Sequence, residues 1–90
     1  MLLAIDIGNS NIVLGVYEGK KLITHWRLQT DADRTADEYG VLISHLVSAH
    51  RIHRDQIDAI IVSCVVPPML GMVQGLGEKF FGRSPRIVGP

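Results

Sequence analysis

This sequence has few of the features that mark secreted or membrane-spanning proteins. It contains a single cysteine, Cys64, so no internal disulfide can form. Disulfides belong to oxidising compartments, and we therefore expect a reducing, cytoplasmic location. The first apolar stretch has no basic residues before it and is interrupted by Asp6. That pattern fits neither a signal peptide nor a membrane-spanning helix.

Charge and aromatic residues are also not arranged as in nucleic-acid-binding or membrane-binding proteins. Nine basic residues balance nine acidic ones, and runs of like charge are absent. Aromatic residues make up only 6% of the chain, which disfavours a groove that stacks bases. We therefore expect neither nucleic acid nor a membrane as partner. The hydrophobic share of 47% and the mean hydropathy of +0.22 instead favour one packed domain covering residues 1–90.

The most informative stretch lies near the start of the chain. An apolar run at residues 2–7 predicts a buried position for one carboxylate, Asp6, near its end. A Gly-Asn-Ser-Asn turn and a second apolar run at residues 12–17 follow. Free amides and small polar side chains at such a bend suit phosphate oxygens, and Asp6 suits a divalent metal through water. An ordinary hairpin, with Asp6 bonded to nearby amides, explains the same spacing. Spacing alone leaves both interpretations open.

The rest of the chain predicts a mixed α/β sheet. Continuous apolar character predicts that the first and fourth strands are buried on both faces, whereas the third strand is a partly exposed edge. Thr35 and Glu38 form a capping box, and Gly40 in the following helix indicates close packing against the sheet. Gly82 ends the second helix. The predicted strands cover residues 2–7, 12–17, 22–29, 58–66 and 86–88, and the helices run from 35 to about 50 and from 68 to about 81.

The resulting order is β-β-β-α-β-α-β. Three antiparallel strands come first, and the later connections are long enough for parallel pairing. This is the ribonuclease H-like arrangement, which occurs in nucleases and as the first half of the actin-like ATPase and kinase fold. The fold class predicted for the chain is therefore a single ribonuclease H-like α/β domain.

Four blocks of the sequence resemble the N-terminal half of type III pantothenate kinase. They cover residues 3–15, 26–30, 34–40 and 63–68. A lone Asp-x-Gly-x-Ser-Asn motif occurs in many actin-like ATPases, but four blocks in the right order and at compatible intervals are specific. The resemblance implies an ATP-dependent kinase that phosphorylates pantothenate to 4'-phosphopantothenate, the first step of coenzyme A biosynthesis. It further implies a homodimer that uses Mg²⁺ and a monovalent cation, K⁺ or NH₄⁺.

The same resemblance assigns roles to the first turn. Asp6 would organise the metal through water, Gly8 would let the backbone approach, and the polar residues after it would donate to the β- and γ-phosphates. The family usually has threonine at position 10, and Ser10 keeps the hydroxyl. The implied ATP-binding residues are Asp6, Ile7, Gly8, Asn9, Ser10, Asn11, Ile12 and Val13.

The resemblance also implies that a part of the catalytic machinery is missing. The family's general base is an aspartate in a Gly-x-Asp-Arg motif that lies beyond residue 90, and a base must lie within hydrogen-bond reach of the hydroxyl it activates. We therefore assign no catalytic residue here. We expect an N-terminal portion, inactive alone, that lacks the family's second, C-terminal domain. A non-catalytic nucleotide-binding or regulatory module is the alternative.

A nuclease is a further alternative, because Asp6 and Glu38 match two metal-binding carboxylates of ribonuclease H-like nucleases. Those enzymes need another carboxylate near the end of the fourth strand, where this chain reads Ser-Cys-Val. For Glu38 the capping role is favoured. Arg27 and Arg34 suit either phosphate or neighbouring aspartates, and Trp26 suits either the edge of the sheet or an interface with a second domain.

Overall fold

The structure, a computed structural model, describes residues 1–88, so residues 89 and 90 of the predicted 1–90 domain lie outside the described part. The predicted order of elements is confirmed. Short 3₁₀ helices at Arg54–Gln56 and Pro67–Met69 precede the fourth strand and the second helix. The strands are β1 (Leu2–Ile7), β2 (Asn11–Glu18), β3 (Lys21–Gln29), β4 (Ala59–Cys64) and β5 (Arg86–Val88), and the helices are α1 (Ala36–Ala49) and α2 (Leu70–Phe81).

The five strands form one mixed sheet in the order β3-β2-β1-β4-β5. The pairs β1–β2 and β2–β3 are antiparallel, whereas β1–β4 and β4–β5 are parallel. As predicted, β3 is an edge strand. Because β3 runs in the same direction as β1 and β4, the carboxyl ends of these three strands meet at one end of the sheet. The ribonuclease H-like α/β class is confirmed.

One face of the sheet, here named the covered face, packs against both helices. The strand residues that point to this face alternate along the chain, as the two-residue period of a strand requires. They join side chains of α1 and α2 in one hydrophobic core. The largest completely buried residues are Tyr39, Leu3, Ile7, Ile12, Leu14, Ile43, Ile57, Ile60, Met69, Leu76, Val16 and Val47.

No described element covers the opposite face, here named the open face. Asp6 and Ser63 are exposed there, and Ala4 and Ile61 are half-buried. The prediction that β1 and β4 are buried on both faces, with the Asp6 carboxylate inside, is therefore wrong. Its physical reason is that α1 and α2 pack on the same side, so alternate residues of both strands meet no helix.

The helix ends follow the predicted signals, with one correction. Thr35 Oγ1 accepts from the Glu38 amide at 3.1 Å, and Glu38 Oε1 accepts from the Thr35 amide at 2.9 Å. Gly82 ends α2 with a φ of 63°. A Cβ at Gly40 would overlap the Phe80 ring, so the close packing is against α2 and not against the sheet. No helix within residues 1–88 is long and apolar enough to span a membrane.

Candidate functional site

A tight turn of residues 8–11 connects β1 and β2, and it is named here the β1–β2 turn. The Gly8 amide donates to the Asn11 carbonyl oxygen at 2.9 Å. A Cβ at residue 8 would lie 3.2 Å from that same oxygen, so glycine permits the close approach. Asn9, Ser10 and Asn11 are exposed. The structure therefore gathers the predicted polar residues at the carboxyl end of β1, where ligands of open α/β sheets bind.

Several donors in this turn are available to a ligand. Within residues 1–88, the backbone amides of Asn9 and Ser10 donate to no other part of the chain. The side chains of Asn9, Ser10 and Asn11 make no hydrogen bond to the described residues either. Successive amides in a turn form a concave site for an anion. The chemistry of this turn therefore fits the oxygens of a phosphate group.

Asp6 lies beside the turn, on the open face. In the sheet it is opposite Val13 of β2 and Ser63 of β4. Its carboxylate is exposed and has no hydrogen-bond or ion-pair partner among the described residues. β1 and β2 do form the predicted hairpin with Asn9 and Ser10 in its turn, whereas the predicted bonds of Asp6 to nearby amides are not found among residues 1–88. The carboxylate is instead free to interact with a cation.

The apolar residues of the predicted segment divide between the two faces. Ile7 and Ile12 lie opposite each other in the β1–β2 pair, and both are buried on the covered face. Their side chains anchor the ends of the turn and do not reach a ligand. Val13 is 38% exposed on the open face, next to Asp6. Of these three, only Val13 is placed to touch a bound molecule.

Thr30 contacts the turn, and sequence reasoning gave it no role. It follows β3, whose last residue, Gln29, is opposite Asn11. Its Oγ1 donates to the Gly8 carbonyl oxygen at 2.8 Å, and its amide donates to the Ser10 carbonyl oxygen at 2.9 Å. The available signal was its position directly after a strand that pairs with β2. Thr30 thus joins the end of β3 to two residues of the turn.

The β3–α1 connection is fixed in turn by α1. The Tyr39 hydroxyl donates to the Gln29 carbonyl oxygen at 2.9 Å and accepts from the Asp31 amide at 2.8 Å. Tyr39 is itself 1% exposed. These bonds attach the segment on both sides of Thr30 to a buried side chain, which limits how far Thr30 can move.

A groove of about 510 Å³ runs along the open face from Asp6. Apart from Asp6, its polar side chains come from Ser63, His25 and Tyr17. The remaining lining is apolar and comes from β1, β2, β3 and β4, mainly Ala4, Val13, Gly15, Leu22 and Ile61. Asp6 therefore lies where the apolar groove meets the polar β1–β2 turn.

Other candidate residues have structural contacts. Arg34 pairs with Asp31 at 3.8 Å and lies over the Tyr39 ring at 5.8 Å, which confirms the aspartate interpretation for this arginine. Trp26 is half-buried on β3, where its ring contacts His50 edge-to-face with centroids 6.3 Å apart, so it packs at the edge of the sheet.

The carboxylates required of a nuclease are not brought together. The Glu38 carboxylate accepts from both the amide and the hydroxyl of Thr35, so the capping interpretation is confirmed. Within residues 1–88 there is no group of three or more His, Cys, Asp or Glu side chains that could hold a metal ion. Any ion at Asp6 would therefore need further oxygen ligands from a bound molecule or from water.

The chain is similar in sequence to type III pantothenate kinases. A family model described as type III pantothenate kinase matches residues 2–90. The type III pantothenate kinase of Geobacter sulfurreducens is 51% identical over 90 residues, which are 100% of this chain and 35% of that protein. The relative from Pelobacter propionicus is 49% identical over the same share of each chain.

Solved structures with similar folds include a ROK hexokinase from Thermus thermophilus, with a TM-score of 0.71 at 16% identity. The match covers 98% of this chain and 34% of the hexokinase, and at such low identity it shows the fold alone. The chain spans about a third of the length of the curated relatives it matches. Since the family model matches nearly every residue, this chain belongs to the type III pantothenate kinase family.

Proposed function

We propose that this chain forms the ATP phosphate-binding part of a pantothenate kinase. The reaction transfers the γ-phosphoryl group of ATP to the primary alcohol of pantothenate, giving 4'-phosphopantothenate in the first step of coenzyme A biosynthesis. The observation that carries the proposal is the β1–β2 turn, where the amides of Asn9 and Ser10 and the nearby Asp6 carboxylate have no partner within residues 1–88. Family membership supports the choice of substrate.

The residues of the turn would act by position and charge. Phosphoryl transfer requires the protein to align the phosphates and to stabilise their negative charge, with little covalent chemistry of its own. The amides of Asn9 and Ser10 would donate to phosphate oxygens, and the three polar side chains of the turn would add further donors. Gly8 keeps the backbone close enough for these groups to converge.

The donor set fits a magnesium ion. Mg²⁺ prefers oxygen ligands, keeps several waters and is commonly shared between one or two carboxylates and the substrate phosphates. Asp6 supplies one such carboxylate, which is exposed and has no partner in the part of the chain that the structure describes. Its role would be to hold the ion through water beside the turn. When bound, the ion supplies neutralisation of the phosphate charge.

Further properties are proposed for the whole protein from its family. They are a monovalent cation (K⁺ or NH₄⁺), a homodimer and a cytoplasmic location. The general base and the pantothenate site are proposed to come from sequence beyond residue 90. We assign no residue of this chain to any of them.

A non-catalytic nucleotide-binding module is the second candidate. It is favoured by the state of the acidic side chains beyond β3. Asp31 accepts from the Asp33 amide at 3.0 Å, and Glu38 caps α1. Both carboxylates thus have a structural partner, and neither has a contact with the β1–β2 turn among residues 1–88. Such a module would bind Mg²⁺·ATP through the β1–β2 turn without turning it over.

The test compares three samples in an assay for ATP-dependent phosphorylation of pantothenate. The first is the 90-residue chain alone. The second is this chain continued by the remaining sequence of the Geobacter sulfurreducens relative, and the third is that remaining sequence alone. Binding of Mg²⁺·ATP to the first sample is measured by calorimetry. We expect binding by the 90-residue chain and phosphorylation only by the continued protein.

Each other outcome selects a different function. Nucleotide binding with no phosphorylation in any sample favours the non-catalytic module. A chain that neither binds Mg²⁺·ATP nor supports phosphorylation contradicts the proposal. Activity in the third sample alone would show that this chain is not needed for the reaction.

A further inference from the structure

Thr30 makes two contacts with the β1–β2 turn that have one geometric consequence. Its hydroxyl donates to the Gly8 carbonyl oxygen at 2.8 Å, and its backbone amide donates to the Ser10 carbonyl oxygen at 2.9 Å. Both bonds orient carbonyl groups of the turn toward the end of β3. Two of the three peptide groups within the turn are therefore oriented by the same residue.

The orientation of a carbonyl fixes the orientation of the next amide. In a planar trans peptide, the C=O of one residue and the N–H of the next point in opposite directions. Because the Gly8 carbonyl points to Thr30, the Asn9 amide points away from it. Because the Ser10 carbonyl also points to Thr30, the Asn11 amide points away as well. The two amides are thus turned to the same side, away from β3.

We infer that Thr30 is a positioning residue for nucleotide binding, which it serves by aiming the amide of Asn9 at the phosphates. The inference rests on the proposed function, since it needs a phosphate-bearing ligand at the turn. Thr30 does not touch that ligand. The hydroxyl sets the Gly8–Asn9 peptide and the amide sets the Ser10–Asn11 peptide, so a substitution of the side chain releases only the first.

The first experiment removes the hydroxyl and keeps the shape. Thr30→Val is β-branched and lacks Oγ1, whereas Thr30→Ser retains the hydroxyl. Thr24→Val is the matched control, because Thr24 lies on β3 opposite Val16, away from the turn. Binding of Mg²⁺·ADP is measured by NMR on the ¹⁵N-labelled 90-residue chain. We expect the Kd to rise about tenfold in Thr30→Val, as for loss of one hydrogen bond between the Asn9 amide and a phosphate oxygen. The Kd should change little in Thr30→Ser and Thr24→Val.

The second experiment separates positioning from a general structural defect. In the protein continued with the Geobacter sulfurreducens sequence, Thr30→Val should raise the KM for ATP by about tenfold and leave the KM for pantothenate unchanged. A defect that merely lowered the fraction of folded enzyme would lower kcat and leave both KM values as they were. That second pattern would overturn the inference.

A third measurement needs no variant and covers the case in which Thr30→Val does not fold. In the wild-type chain, Mg²⁺·ADP should shift the amide resonance of Asn9 more than that of Gly8, whose amide is bonded to the Asn11 carbonyl oxygen. Equal Kd values for wild type and Thr30→Val, or a response confined to Gly8, would overturn the role of Thr30 alone. Absence of ADP binding by the wild type would instead reject the proposed function, and the inference with it.

Discussion

The two faces of the sheet are built from the same strands but have different roles. On the covered face, Leu3, Ile5 and Ile7 of β1 are buried against the helices. On the open face, the alternate residues of the same strand end at Asp6, whose carboxylate has no partner among residues 1–88. One set of side chains stabilises the fold. The other leaves a charged group and a groove accessible to another molecule.

This contrast shows how a short strand can combine stability with chemistry. Burial of apolar side chains on one face fixes the backbone, and the fixed backbone holds Asp6 next to the β1–β2 turn. Because Asp6 makes no contact that the fold depends on, its identity is free to be set by function. We therefore expect substitutions on the two faces to affect different measurements.

The largest effect on stability is expected from a leucine on the covered face. Leu14 is completely buried, whereas Leu22, on the open face, is 45% exposed. Leu14→Ala should lower the free energy of unfolding by about 3 kcal/mol through lost burial and a residual cavity. Leu22→Ala, the same chemical change, should cost about 1 kcal/mol or less. Urea denaturation of the two variants measures both values.

A large loss of stability in Leu22→Ala would contradict the expected difference between the two faces. It would mean that the open face is packed against something in solution, such as a second copy of the chain. The urea midpoint of wild type would then depend on protein concentration, and sedimentation would show a species larger than the monomer.

Asp6→Asn should have the opposite profile, with an effect on binding and none on stability. The amide is nearly the same size, and the carboxylate loses no contact within residues 1–88. Affinity for Mg²⁺·ATP should fall by about 10- to 100-fold, the range typical for groups that hold a metal through its outer ligands. Glu18→Gln, at the far end of β2, is the control and should bind as wild type. Unchanged affinity in Asp6→Asn would make Asp6 a surface residue without function.

A smaller effect is expected where the two helices of the covered face touch. Gly40→Ala adds a methyl group that would overlap the Phe80 ring. Overpacking of this kind costs about 1–3 kcal/mol, and alanine recovers about 1 kcal/mol through its better helix propensity. We expect the free energy of unfolding, measured by urea denaturation, to fall by about 1 kcal/mol in Gly40→Ala. Gly71→Ala, where a Cβ would meet nothing within 4 Å, should be neutral or stabilising; equal effects in both would contradict the helix contact.

Local signals in the sequence predicted the elements well, whereas the choice of faces depended on packing. The capping box at Thr35 and the left-handed Gly82 are local features, and both are confirmed. Burial of β1 on two faces was inferred from its apolar composition, which is equally compatible with one covered face. Which side of a sheet a helix packs on depends on the whole chain. Asp6 was therefore placed inside although it is exposed.

The contact made by Thr30 was hidden for a different reason. Counting residue pairs outward from the β2–β3 hairpin, where Glu18 is opposite Lys21, places Gln29 opposite Ser10. The structure has a bulge between Val16 and Tyr17 that shifts the register by one residue. The shift brings Thr30 to Ser10. A bulge is a local irregularity of pairing that strand periodicity does not reveal.

The smallest effect on stability is expected for the contact before β1 between Met1 and Asp58. This contact is exposed and belongs to neither face of the sheet, so it serves as a comparison for both. The Met1 ammonium donates to Asp58 Oδ2 at 2.6 Å, and this hydrogen bond, with the charge of the ammonium, lowers the pKa of Asp58. A lowered pKa in the folded state contributes stability above the ordinary value of 3.8, and the contribution is lost as the pH falls through the folded pKa.

Asp58→Asn should therefore lower the urea midpoint slightly at pH 7, by less than Gly40→Ala does. The difference from wild type should shrink as the pH falls below the ordinary value of 3.8, because protonation then removes the charge from wild type as well. Urea midpoints of wild type and Asp58→Asn, measured at pH 7 and at pH 3, give the difference at neutral pH and its decrease in acid. A difference that stays constant between these two pH values would mean that Asp58 acts through its shape and not through its pairing with Met1.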